Sequence, residues 1–128
     1  MFNFLSILKH TSEKYTDKTA FTINGESFSY EVFYSKVNAI TKELLAANKP
    51  QQKVIVATNN DIETYASIIA IWQTGNIYIP LDFDTQNNKT KEIIHTINPD
   101  LILSSNPTKQ NIFTKFKTLN TSKLKITT

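Results

Sequence analysis

The sequence predicts an α/β fold: a mostly parallel sheet of βαβ units with helices on both faces and a small early hairpin. Three observations predict it. Short runs rich in β-branched residues or leucine, "KVIVAT" at 53–58, "IYIPL" at 77–81 and "DLILSS" at 100–105, alternate with stretches whose apolar residues have helical spacing. Each change of pattern carries a glycine, a proline or a residue suited to capping a helix. The intervals between the short runs are also long enough for a crossover helix, which parallel pairing requires.

Each element can be justified in turn. Phe2, Leu5, Leu8 and Tyr15 line one face of a first helix. Residues 19–23 and 27–29 flank "NGE", where Asn-Gly supplies the positive φ angles of a two-residue hairpin turn. From 30 to about 48, Phe33, Val37, Ile40 and Leu44 recur at helical spacing, with Ser29 placed to cap the first turn and Pro50 stopping the far end. Residues 53–58 form a strand. "NNDIETYASIIAIWQTG" follows as a helix, read as capped by Asn60 with Glu63 reaching back in a capping box. Gly75 ends that helix in a left-handed conformation, and the alternation of Ile77, Ile79 and Leu81 reads as a buried strand. Asp82 then falls at the strand's carboxyl end, where open α/β sheets usually place ligands. "NNKTKEIIHTIN" is the next helix, ending before Pro99, and "DLILSS" the next strand. After Asn106 the pattern weakens: "NIFTKFKTL" reads as one or two helical turns and "KLKIT" as a strand.

The composition bounds the function. At 128 residues one core is expected, and no apolar run approaches the ~20 residues of a membrane span. The first residues lack a basic start and a small-residue cleavage site, so a cytoplasmic location is expected. Zero cysteines exclude disulfides and thiol catalysis. The net charge of +3 hides a split: residues 1–106 hold nine lysines against eleven acids, whereas 107–128 hold five lysines and no acid. No arginine is present, so there is no bidentate fork for phosphate or guanine, and the tail reads as a solvated lysine face rather than a nucleic-acid site.

The residue types that carry chemistry are sparse. A phosphate-cradling loop needs several glycines so that backbone amides can approach the anion, yet only Gly25 and Gly75 occur. His10 and His95 lie 85 positions apart on different predicted helices and read as surface residues. Asp82 and Asp84 are spaced like paired carboxylates, but two acids opening a polar loop more often cap a turn. Helix capping likewise explains Asn59, Asn60 and Asp61, and core packing explains Trp72 among its isoleucines. No catalytic, cofactor-binding or metal-binding residue is assigned.

Taken in order, "AFTINGESFSYEVFYSKVNAITKELLA", "KVIVATNNDIETYASIIAIWQTGNIYIPLDFD" and "KEIIHTINPDLILSS" resemble the amino-terminal portion of the adenylate-forming (AMP-binding) superfamily. That superfamily includes acyl-CoA synthetases, luciferases and the adenylation domains of nonribosomal peptide synthetases. "SYEVF" at 29–33 matches the family's "TYxEL"-like motif, and "WQTGNIYIPLDF" at 72–83 matches its "LKAGxAYVPLDP". The second match is the more specific, because Gly75, Tyr78, Pro80 and Asp82 keep their spacing. Phe83, Gln86 and Lys89 depart from the family's proline, second proline and arginine.

The resemblance implies a first subdomain over 1–106 and a lysine-rich continuation over 107–128 towards a next subdomain. It implies an amino-terminal fragment of an ATP-dependent carboxylate-activating ligase, using ATP and magnesium when complete but not catalytic alone, because the family's phosphate loop, ATP-binding acids and lysine-bearing lid lie beyond these residues. "YIPLD" leans towards the amino-acid-activating branch. The expected partners are the remaining subdomains or a complementary chain, with a homodimer through exposed apolar residues such as Phe113 and Phe116 as a further expectation. The alternatives are a free-standing non-catalytic module or split subunit that docks to a partner chain, and a small nucleotide-binding or receiver-like α/β module. The missing glycine loop weakens the last.

Overall fold

A four-stranded parallel sheet between helices, with a separate hairpin, organises the protein. The computed structural model describes residues 3–82, 88–106 and 116–124. Phe2, Phe83, Asp84, Gln86 and Phe113, named above, lie outside the described residues.

The first third folds much as its pattern predicts. Helix α1 (Phe4–Lys14) is capped by Asn3, whose side-chain oxygen accepts the Leu5 and Ser6 amides at 2.9 and 3.4 Å. Leu5 and Leu8 pack against the core, but Tyr15 falls just past the helix and is exposed, so it leaves the stripe assigned to it. Strands β1 (Thr19–Ile23) and β2 (Glu26–Ser29) pair antiparallel around Asn24 and Gly25, at φ +52° and +84°. Both central residues having positive φ is the signature of a type I′ turn, whose twist matches the flanking strands. Helix α2 (Tyr30–Ala46) opens with the Ser29 Oγ accepting the Val32 amide at 3.1 Å. Phe33, Val37, Ile40 and Leu44 are each no more than 2% exposed, as their spacing requires of a core-facing stripe.

The sheet comprises β3 (Lys53–Ala57), β4 (Ile77–Leu81), β5 (Leu101–Ser104) and β6 (Thr118–Asn120), in the order β4-β3-β5-β6 with all neighbours parallel. Helix α3 (Ile62–Gln73) connects β3 to β4, and helix α4 (Asn88–Ile97) connects β4 to β5. Side-chain alternation divides the core. Val54, Val56, Leu101 and Leu103 join the α2 and α3 side, while Ile55, Ala57 and Ile102 join Ile94 of α4, with Ile79, Leu81 and Phe116 against them. Burial on both faces is why β3 and β5 read as unbroken apolar runs. The step from β3 to β4 goes one way across the sheet and the step from β4 to β5 goes the other. Two crossovers of one hand that move in opposite directions must use opposite faces, which is the placement of α3 and α4.

The helix ends follow from their residues. After α3, the Gly75 N–H bonds the Trp72 carbonyl at 3.2 Å and the Asn76 N–H bonds the Ile71 carbonyl at 3.1 Å, with Gly75 at φ +73°. This pair of bonds is a Schellman stop. Helix α4 stops in a related way on Asn98, at φ +50°, whose N–H bonds the Ile94 carbonyl at 2.8 Å just ahead of Pro99.

Four readings need correction. Strand β4 is an edge strand, not a buried one: Ile77 is 47% exposed and Pro80 is exposed as well. Proline cannot donate to a ladder, so the sheet edge is where its sequence belongs. Trp72 is 48% exposed, because it stands past Ile71, the last buried residue of α3, at the end of the helix. The segment read as helical turns up to Leu119 carries a strand instead, Thr118–Asn120, and Thr121–Lys123 is a short 3-10 turn capped by Asn120, while most of "KLKIT" lies outside the described residues. Phe116 is half-buried against the α4 side of the core, with His95 at 5.8 Å between ring centres, and so does not form a free apolar patch. Among the described residues no helix is long and apolar enough to cross a membrane.

Candidate functional site

The chain leaves β3 towards β4 and leaves β5 towards β6, so its connections diverge between β3 and β5. That divergence is a topological switch point, and in open α/β sheets the crevice outside the carboxyl ends of such strands is the usual ligand position. In this protein the crevice is spanned by side chains from both strands' exits. Asp61 occupies its centre. One carboxylate oxygen accepts the Thr64 amide at 2.9 Å and the Thr64 hydroxyl at 2.6 Å; the other accepts the Ser105 hydroxyl at 2.5 Å. The Ser105 oxygen in turn accepts from the Asn59 amide at 3.1 Å. Asn60 takes the Tyr65 hydroxyl at 2.5 Å.

These contacts revise two assignments. Asp61, not Asn60, is the N-cap of α3, since an acceptor three residues ahead of the Thr64 amide is where a first turn needs one. Glu63 does not reach back to close a capping box. It forms an ion pair with Lys36 of α2 at 3.1 Å, tying the two helices on that face together. Ser105 was not singled out by the sequence; a polar residue directly after β5, level with the exit from β3, was the available signal.

Around this point the sequence-predicted candidates disperse. Asp82 sits exposed at the end of β4, where its position predicted it, and the Leu81 carbonyl beside it accepts the Thr58 amide at 3.1 Å. His10 lies on α1 and His95 on α4 against Phe116, so the histidines are not brought together. A groove of about 390 Å³ runs between the hairpin and the start of α3, lined in part by Asn24, Glu26, Phe28, Lys36, Asn60 and Asp61. Among the described residues no group of three or more His, Asp or Glu side chains is arranged to hold a metal ion.

The opposite end of the sheet is held by charge. Asp100 accepts the Lys53 amide at 2.8 Å and a hydrogen bond from the Lys49 ammonium, while the Lys53 ammonium bonds the Ile97 carbonyl at 2.6 Å. The Lys49 hydrogen bond, then the Lys53 amide, hold the Asp100 carboxyl below the usual carboxylate range. This cluster fixes the entries to β3 and β5, and the Asp61 cluster fixes their exits. The arrangement can brace two strands at both ends.

Known proteins agree with this architecture. The sequence model of the family described as AMP-binding enzyme matches residues 8–128. The chain is 24% identical over 98 residues to surfactin synthase subunit 1 of Bacillus subtilis (strain 168), covering 76% of this chain and 3% of that protein. It is 22% identical over 107 residues to the dapdiamide synthesis protein DdaD of Enterobacter agglomerans, covering 84% of this chain and 18% of that one. Among solved structures, holo-AB3403, a four-domain nonribosomal peptide synthetase bound to AMP and glycine, superposes with a TM-score of 0.84 at 20% identity. That match covers 99% of this chain and 10% of the synthetase. The Klebsiella oxytoca NpsA N-terminal subdomain superposes with a TM-score of 0.72 at 12% identity, covering 97% of this chain and 33% of that one. The chain therefore spans a small part of its curated relatives, and within that part the hairpin, the capped α2 and the Gly75 to Asp82 turn and strand all fall where the motifs require. The chain belongs to the AMP-binding enzyme family.

Proposed function

We propose that this chain forms the opening segment of a carboxylate-activating, adenylate-forming ligase and acts there as scaffold. The observation that carries the reading is the family match over 8–128, joined to a sheet that superposes over nearly its whole length on a synthetase adenylation structure. The complete ligase would condense a carboxylic or amino acid with ATP to an acyl-adenylate, releasing pyrophosphate, and pass the acyl group to a thiol.

ATP and magnesium are implied by the family, and the donor set of the described residues does not fit them. Two glycines, both in tight turns, build no phosphate loop, and the described carboxylates are separated or already engaged with amides, hydroxyls and lysines. No step of the reaction is assigned to these residues. Their contribution is geometric: the braced β3 and β5 exits and the β4 turn hold the sheet on which the rest of the ligase is built.

ATP–pyrophosphate exchange tests the reading. The full polypeptide containing these residues is expected to exchange label in the presence of its carboxylate, and the 128-residue chain alone to give background only. Exchange by the short chain would place the chemistry within it; no exchange by the full polypeptide across a broad panel of carboxylates and amino acids would remove the ligase assignment.

A further inference from the structure

The Ile77 N–H bonds the Gln52 carbonyl at 2.9 Å, and the Leu81 carbonyl accepts from Thr58 at 3.1 Å. Ile77, Ile79 and Leu81 therefore turn their main chain towards β3, and alternation turns that of Tyr78 and Pro80 outward. Among the described residues no strand pairs with this outer edge. Because Pro80 has no N–H, the edge presents one donor, at Tyr78, and two acceptors, the carbonyls of Tyr78 and Pro80.

The flanks of the edge are apolar. Trp72 and Ile77 are 48% and 47% exposed, and the Trp72 ring stands edge-on to Tyr78 at 6.4 Å. Edges that remain single are blunted by charge, by proline or by a covering segment; here Pro80 removes one donor, while the side chains beside the open backbone are tryptophan, tyrosine and isoleucine rather than lysine. Pro80 limits which strand can fit. Two copies of Ile77–Leu81 laid antiparallel exchange at most two main-chain bonds. Each copy brings a proline where a donor is needed, and the Asn76 N–H is already given to the Ile71 carbonyl. A strand of ordinary residues satisfies all three outward groups, which disfavours a second copy.

We propose that the outer edge of β4 takes an extended strand from the remainder of the ligase polypeptide, with Trp72, Ile77 and Tyr78 packing against it. This rests on the ligase reading above. The occupant is argued from the solved structures: nearly all of this chain superposes within chains of which it makes up 10% and 33%, so the fold occurs as one part of much longer polypeptides that can supply the strand. Main-chain pairing gives such a contact its register, and alternate side chains give it specificity.

Hydrogen exchange at the Tyr78 amide tests the proposal, with ATP–pyrophosphate exchange measured on the same preparation. In the 128-residue chain the amide should exchange freely, and in the full polypeptide it should slow by ~100-fold or more, as for a paired strand amide. Protection already present in the short chain would mean its own residues cover the edge, and overturns the proposal. So does an unprotected amide in a polypeptide that exchanges pyrophosphate, an outcome that leaves the ligase reading standing. Protection without pyrophosphate exchange keeps the strand contact and removes the ligase. Ile77→Lys adds a second arm. In the full polypeptide it should reduce Tyr78 protection at least ~10-fold, while the short chain, where the side chain faces solvent, keeps its urea midpoint. Unchanged protection in that variant overturns the proposal.

Discussion

Replacing Gly75 tests whether the turn from α3 into β4 is governed by backbone conformation. Gly75 has φ +73°, and a Cβ built on it meets no atom within 4 Å. Steric crowding by neighbours therefore contributes nothing, and the cost of a side chain reduces to holding an L-residue in the left-handed region. That cost is about 1–2 kcal/mol, with β-branched residues at the upper end. Asparagine should cost less, since this chain already holds Asn24, Asn48 and Asn98 at φ between +48° and +52°, Asn98 in the equivalent place after α4. The expected order of stability is Gly75, then Gly75→Asn, then Gly75→Val. With a urea slope of about 2 kcal/mol/M, the valine variant should lose about 0.5–1 M in midpoint. Equilibrium urea unfolding by far-UV circular dichroism reads it directly. A valine variant as stable as the parent, or equal in stability to the asparagine variant, would refute the assignment of the turn to glycine's conformational freedom.

Three further outcomes follow from named contacts. Asp61→Ala should lose about 1–2 kcal/mol, because α3 loses its cap and Ser105 its acceptor, whereas Asp61→Asn keeps an acceptor for the Thr64 amide and should lose less; thermal unfolding of the pair decides it. Ile55→Ala, at a position with no exposed surface between β4 and β5, should cost about 2–5 kcal/mol in chemical denaturation. Asp100 is lowered below the usual carboxylate range, so its stabilisation is fully present above the unfolded value, about 3.9, and is lost as pH falls through the lower folded value. With Lys49 well exposed the contribution is under about 1 kcal/mol, and Asp100→Asn should flatten stability against pH below about 5 without altering the curve's shape above that.

What the sequence disclosed depended on how local the cause was. The stripe of α2, the Asn24-Gly25 turn, the Gly75 stop and the two-sided strands β3 and β5 are each set by residues within a few positions of one another, and each was legible. Position within the sheet was not. Ile77, Ile79 and Leu81 alternate as a half-buried strand would, and only the order β4-β3-β5-β6 places them at an edge. Pro80 was the available sign, since a proline demotes a strand to an edge. The cap of α3 was misread by one residue because Asn59, Asn60 and Asp61 are all good caps, and the choice was made by Ser105, 44 positions away, which gives Asp61 a second partner. Trp72 was misread because helical spacing says which residues share a face but not where the underlying sheet stops.

The two clusters at the ends of the sheet divide its work unequally. At the strand entries, Asp100 accepts from the Lys49 ammonium and the Lys53 amide, and the Lys53 ammonium bonds the Ile97 carbonyl, a set that serves stability. At the exits, Asp61 accepts from the Thr64 amide, the Thr64 hydroxyl and the Ser105 hydroxyl, which ties the exits of β3 and β5 together. Among the described residues, main-chain groups and aromatic surface face outward together along β4. The most informative variants are therefore those that alter the β4 edge while leaving the sheet itself intact.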